Sequence, residues 1–272
     1  MASDSLRVAV IGAGVSGIAA IKCCLDEGIT PVCFERTDRL GGLWHYTEKL
    51  TEGQACVMKS TIINTSKEMM SFSDFPIPEH FPNFMNNSQI LEYLKSYCEC
   101  FDLERYISYE TDVTNVIKAD DYLRTGRWEV TYRNISTGEE KTEKFAGVLV
   151  CSGYNSKKLT PNFPGLGDFQ GKVLHSNDYR VSTDFMDKRV VVVGIGNSAG
   201  DVAVDLSHVA KQVFLSTRRG TWVLKRVSDR GYPFDLLNRT RFVEWLHKTF
   251  HGICEKREER RLNGRFDHQL YR

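Results

Sequence analysis

Gly12, Ala13, Gly14, Val15, Ser16 and Gly17 follow one another in the spacing G-x-G-x-x-G. In that pattern the first glycine permits a tight turn, the second lets the backbone approach a pyrophosphate, and the third lets a helix pack closely on a strand. An apolar run at residues 7–12 precedes the motif and a helical run at residues 15–27 follows it, so the glycines stand where a strand passes into a helix. The free N–H groups and positive end of such a helix attract phosphate. Glu35 ends the next apolar run, at residues 32–35. Its carboxylate can accept both hydroxyl hydrogens of an adenosine ribose and repels a 2'-phosphate, so the first site, which includes Arg36, is expected to take FAD or NAD rather than NADP.

Gly194, Ile195, Gly196, Asn197, Ser198, Ala199, Gly200 and Asp201 repeat the design, with alanine in the third glycine's place. Glu35 lies 23 residues after Gly12 (35 − 12), and the same count from Gly194 reaches Thr217, followed by Arg218 and Arg219. No carboxylate fills the slot. Arginine grips phosphate through charge-assisted, often bidentate hydrogen bonds, so the second site is expected to prefer NADPH over NADH. One site that excludes a 2'-phosphate and another that invites it point to hydride passing from NADPH to FAD.

Positioning these motifs requires an α/β fold with two Rossmann-like, three-layer ββα dinucleotide-binding domains. The first opens with a strand, a helix ended by Gly28 and Pro31, and a second strand. Residues 54–88 are irregular and rich in Ser, Asn, Pro and aromatics, marking a long functional loop, after which Ser88 is expected to cap a helix over residues 89–100. Alternating apolar residues at 113–116 and 128–132, a turn at 136–138 and a run at 147–151 predict a small antiparallel meander before the first sheet resumes. A strand at 189–194, a helix over 198–210 and a strand at 212–217 begin the second domain. The linear boundaries expected are 1–155 for FAD, 156–220 for NADPH, and 221–272 for an amphipathic basic segment.

Composition narrows the remaining classes. The 272 residues are 41% hydrophobic, enough for a substantial core, and carry 36 basic against 35 acidic side chains, so overall charge calls for no nucleic acid. The eight cysteines include no C-x-x-C pair and no zinc-spaced cluster, which argues against a metal site and against a dithiol flavin reductase. Residues 8–21 imitate a signal-peptide core, but three glycines interrupt them and Arg7 is their only nearby basic residue. N-x-S/T triplets beginning at Asn64, Asn86, Asn134 and Asn238 are read as chance. No run of 18 uncharged apolar residues occurs. Within residues 241–266, Phe242, Leu246, Phe250 and Ile253 lie near one helical face beside basic residues, a pattern equally suited to a membrane surface and to packing on its own domain.

The sequence resembles the flavin-containing monooxygenases of the vertebrate microsomal type along its whole length. Its strongest marker is the stretch from Phe169 through Gly171 and His175 to Tyr179, matching that family's F-x-G-x-x-x-H-x-x-x-[Y/F] signature. Gly41-Gly42-Leu43-Trp44, Asn64-Thr65-Ser66-Lys67-Glu68-Met69-Met70, Pro76-Ile77-Pro78 with Phe81-Pro82-Asn83, and Cys151-Ser152-Gly153-Tyr154 support it. The resemblance implies an NADPH- and FAD-dependent enzyme that forms a 4a-hydroperoxyflavin from O2 and oxygenates a small-molecule amine or thioether. It implies that Glu35, Gly42, Leu43, Trp44, Asn64 and Thr65 touch FAD, that Ser198 to Asp201, Arg218, Ser60 and Asn64 touch NADPH, and that Asn64 donates to the peroxide. It gives His175 and Tyr179 a structural role at a hinge; tyrosine at 179 favours N- or S-oxygenation, while some members also insert oxygen beside ketones and the motif does not separate the two. It implies residence at the cytosolic face of the endoplasmic reticulum membrane, usually through a C-terminal hydrophobic anchor, and a cytoplasmic location if that anchor is absent. Members of that family run to about twice this length. A second reading is therefore a truncated, catalytically deficient cofactor-binding form, with little turnover of its own.

Overall fold

The computed structural model describes residues 6–49, 53–221, 223–228, 230–238 and 240–249. In chain order the main elements are β1 (Arg7–Ile11), α1 (Val15–Asp26), β2 (Thr30–Phe34), α2 (Lys67–Met70), α3 (Asn87–Cys100), β3 (Ile107–Ser108), β4 (Thr111–Lys118) and α4 (Tyr122–Thr125). They continue with β5 (Trp128–Asn134), β6 (Glu140–Phe145), β7 (Gly147–Val150), β8 (Arg189–Val193), α5 (Asn197–Ser207), β9 (Gln212–Ser216), α6 (Phe234–Asn238) and α7 (Arg241–Thr249). Compactness divides them along lines other than the linear boundaries: Met1–Lys59 with Asn87–Arg180 form one unit, and Ser60–Asn86 with Val181–Arg272 the other.

In the first unit, β3, β2, β1 and β7 form a parallel sheet in that order, and β4, β5 and β6 an antiparallel meander. Ala9 and Val10 are adjacent in β1, so they point to opposite faces, yet neither reaches solvent. Both faces of the strand are therefore covered. Helix α1 packs on one side, burying Ile18 and Ile21, and the meander packs on the other. There Ala9 and Phe34 meet Val130 and Phe145, with the Phe34 ring 4.4 Å from Tyr132 in a stack and 6.0 Å from Phe145 edge-on. This is the expected ββα layering.

Two local expectations need correction. Pro31 does not lie between helix and strand; it pairs with Val8 inside β2. Gly28, at φ 69°, ends the helix region alone. Proline is tolerated in β2 because β3 pairs only with Cys33 and Phe34, leaving that flank of Pro31 without a ladder partner. Helix α3 begins at Asn87, one residue before Ser88, and the buried Asn87 side chain donates to the carbonyls of Met58 (2.8 Å) and Lys59 (3.3 Å).

The second unit repeats the β–α–β step. β8 and β9 pair in parallel from Arg189↔Gln212 to Val193↔Ser216, and α5 buries Val202 and Leu206. Only alternate β8 residues are covered: Val192 is buried, while Val191 and Val193 are 60% and 61% exposed. The part of segment 241–266 beyond Thr249, and with it Phe250, Ile253 and most of its basic residues, lies outside the described residues. No helix among the described residues is long and apolar enough to cross a membrane.

The ββα core sets a first expected outcome. Phe145 is 1% exposed and sits between the two sheets, so Phe145→Ala should cost about 3–5 kcal/mol. A lower denaturation midpoint with an unchanged slope would show it; an unaltered midpoint would mean the layers do not depend on this ring.

Candidate nucleotide-binding sites

The first glycine loop is built by backbone contacts that exclude side chains. Gly12 has φ 101°, and a Cβ there would lie 2.8 Å from the Cys151 carbonyl oxygen. Its N–H donates to the Phe34 carbonyl at 2.8 Å, so the turn starts where β2 ends. Gly14 is the N-cap of α1, with no side chain capping it and no acid in the first turn. The N–H groups of Val15, Ser16 and Gly17 thus stand in the first turn of a helix without a competing anion of its own.

Glu35 follows β2 directly and is buried. One of its oxygens accepts from the Ala13 N–H at 2.7 Å, and the other accepts from the Thr37 N–H and hydroxyl, both at 2.8 Å. A carboxylate offers about four acceptor positions, so roughly one remains. With these bonds the acid braces the glycine loop against the end of β2. Thr37, which no sequence motif singled out, completes that brace.

Gly42, Leu43 and Trp44 form a 3₁₀ turn that docks on the same loop. The Gly41 N–H donates to the Ala13 carbonyl at 3.0 Å, and a Cβ on Gly42 would come within 3.1 Å of the Gly14 Cα. The Gly42 backbone therefore packs directly on the Gly14 Cα, too close to take a side chain at position 42 without a shift. Arg36 points toward Gly53, where a Cβ would meet its guanidinium at 3.3 Å.

In the second unit the Gly194 N–H donates to the Ser216 carbonyl at 2.9 Å, repeating the link from Gly12 to Phe34. Both links span 22 residues (34 − 12 and 216 − 194), so Thr217 occupies the position that Glu35 holds in the first unit. The Thr217 hydroxyl accepts from the Gly220 N–H at 3.0 Å and closes a turn that presents Arg218 and Arg219 to solvent at the end of β9. Gly196 is the N-cap of α5, Asn197, Ser198, Ala199, Gly200 and Asp201 begin the helix, and nothing stands within 4 Å of a Cβ on Gly196 or Gly200.

Ser60, Asn64 and Thr65 belong to this second unit. The Arg226 Nε donates to Asn64 Oδ1 at 2.9 Å and its Nη2 to the Ile62 carbonyl at 3.4 Å, while Asp235 accepts from the Ser66 N–H at 2.7 Å. Neither Arg226 nor Asp235 carried a sequence signal, since both lie far from Asn64 along the chain. Burial raises the Asp201 carboxyl above its ordinary value of 3.8, opposed by the positive charge of Arg226. A raised carboxyl disfavours the folded state once ionised: the penalty is absent below the ordinary value and complete above the raised one. Asp201→Asn should therefore stabilise the chain against denaturant at pH 7 and lose that advantage near pH 3; equal gains at both pH values would contradict the assigned burial.

His175 accepts from the Asn177 N–H at 3.1 Å, Tyr179 is buried, and Arg180 binds the carbonyls of Thr47 (2.9 Å) and Asn177 (2.6 Å), so this stretch knits the end of the first unit. Seven cysteines among the described residues are free, and burial pushes the Cys33 and Cys151 thiols up and Cys98 up to about 12. No cluster of three metal-ligating side chains occurs among the described residues.

Two glycine loops of this construction narrow the comparison, and the family described as flavin-binding monooxygenase-like matches residues 5–272. The chain belongs to that family. It is 54% identical over 268 residues to flavin-containing monooxygenase 5 of Oryctolagus cuniculus, covering 97% of this chain and 50% of that protein. It is 46% identical to dimethylaniline monooxygenase (N-oxide-forming) 2 of Mus musculus, with the same coverage. The chain thus spans about half the length of these relatives. Among solved structures, the S-allyl-L-cysteine S-oxygenase of Allium sativum superposes with a TM-score of 0.73 at 29% identity, over 84% of this chain and 54% of that one. The NADP+-bound cyclohexanone monooxygenase of Rhodococcus sp. Phi1 gives 0.61 at 25% identity, over 93% and 44%. The family's mixed α/β fold accounts for the parallel sheet and the meander alike.

Proposed function

We propose that this chain forms the nucleotide-binding half of an NADPH- and FAD-dependent monooxygenase acting on soft nitrogen or sulfur centres. The observation that carries this reading is the contrast between two loops of equal construction: Glu35 at the end of β2, Arg218 and Arg219 at the end of β9. The first loop's acid disfavours a 2'-phosphate and fits FAD; the second loop's guanidinium groups fit NADPH. Gly14, which caps α1 without a side chain, lets a pyrophosphate approach the first N–H groups of that helix. A bound flavin would supply the oxygen-activating chemistry. In the first unit Ala13 to Gly17 and Gly42 to Trp44 would hold the dinucleotide; in the second, Asn64 offers an amide donor that carries no acidic proton. Substrate names support the nitrogen and sulfur preference, since one relative is N-oxide-forming and one structural neighbour is an S-oxygenase.

The uncovered strands favour a second reading, in which the chain alone binds both cofactors with little turnover. Val150 at the sheet's β7 edge is 73% exposed, as are large parts of β8, and a site open to water loses reactive oxygen as hydrogen peroxide. Purified with added FAD, the chain should retain flavin and prefer NADPH to NADH. Oxygenated product from a tertiary amine or thioether separates the two readings, and failure to bind flavin at all would end both. We place the protein at the cytosolic face of the endoplasmic reticulum, with the exposed Phe242 and Trp245 of α7 meeting lipid; co-sedimentation with vesicles tests that contact.

A further inference from the structure

Residues 226–235 grip the loop around Asn64 at both ends. Arg226 binds Ile62 and Asn64 from one side, and Asp235 binds Ser66 from the other. The grip is itself braced: the Arg226 carbonyl accepts from the Phe234 N–H at 2.8 Å, Val227 bridges to Pro233, and the Asp235 carboxylate also accepts from the Leu236 N–H at 2.9 Å. The contact with Asn64 is directional. A guanidinium has donors only, so the Asn64 atom facing it must be the carbonyl oxygen, and the NH2 group must point away. Asparagine offers two opposite faces, one donating and one accepting, and a loop side chain left to itself samples both.

We propose that Arg226 is a positioning residue that fixes the Asn64 amide with its oxygen held and its NH2 presented as a donor. This rests on the proposed role of Asn64 as a cofactor-site donor. Held this way, Asn64 offers the cofactor pocket a hydrogen-bond donor that needs no reorganisation on binding. An arginine 162 residues distant in sequence does this because the hairpin that carries it returns to the loop.

The test uses the whole chain. In isotope-labelled protein the Asn64 side-chain NH2, assigned by its disappearance in Asn64→Ala, should show an order parameter of roughly 0.8, falling below about 0.6 in Arg226→Met. Arg226→Lys keeps one donor and should hold an intermediate value, which also serves if the methionine variant fails to fold. An order parameter unchanged in Arg226→Met and in Arg226→Lys overturns the proposal. In parallel, NADP+ affinity is measured by calorimetry in a double-mutant cycle. Arg226→Met should weaken binding three- to ten-fold in the parent and add nothing in the Asn64→Ala background. Equal losses in both backgrounds would make Arg226 a direct NADP+ ligand and overturn the positioning role. If the order parameter falls while neither substitution alters NADP+ affinity, positioning stands and the cofactor-site role of Asn64 fails instead.

Discussion

Gly17→Ala is expected to abolish the first site and destabilise the first unit by about 3 kcal/mol or more, the upper end for forcing an extra methyl into a packed interior. A Cβ at position 17 would stand 1.8 Å from the Gly12 carbonyl oxygen and 2.9 Å from its carbon. Both are backbone atoms, so no side chain can turn aside, and α1 must withdraw from β1. Withdrawal would unpack Ile18 and Ile21 and pull the Ala13 N–H from Glu35. The second loop supplies the internal control. Its third position already holds Ala199, whose methyl lies 3.9 Å from a Cβ built on Gly194, an ordinary contact. One residue on, Gly200 lies inside α5 with open space around it, so Gly200→Ala should be neutral or stabilise by up to about 1 kcal/mol through helix propensity. Denaturant midpoints and FAD titration read both variants. A Gly17→Ala chain as stable and as flavin-competent as the parent would show that the close approach of helix and strand is not required.

Arg218→Ala should lower NADPH affinity ten- to a hundred-fold, about 1.5–3 kcal/mol for a lost charge-assisted phosphate contact, while leaving NADH affinity unchanged. The side chain is exposed in the turn after β9, so its removal should not alter the melting temperature. The turn itself is kept by the Thr217 hydroxyl and the Gly220 N–H, which the substitution leaves in place. The preference for NADPH should also weaken as salt rises, since exposed charges are screened over about 8–10 Å at ordinary ionic strength. An NADPH to NADH ratio that survives Arg218→Ala would remove this residue from the site and leave Arg219 as the test of the turn.

Each glycine loop was legible in the chain because its information is contiguous. A tight turn, a close helix and an acid or arginine after the next strand all fall within two dozen residues, and each requirement restricts residue type at a fixed offset. The two β–α–β steps and the first two strands of the meander were legible for the same reason, since alternation and helical periodicity are local properties; β6, with the sequence Glu-Lys-Thr-Glu-Lys-Phe, shows no apolar alternation and came only from the structure. Residues 60–86 carry no such period. Irregular backbone satisfies its polar groups with whatever the fold brings near, so their membership of the second unit and the pairing of Asn64 with Arg226 came only from tertiary structure. Glu35 shows the division within a single residue. Its identity and position announced a dinucleotide site, but burial beside Ala13 and Thr37 committed most of its acceptor positions to the protein itself, because a buried carboxylate must be hydrogen-bonded wherever donors are within reach.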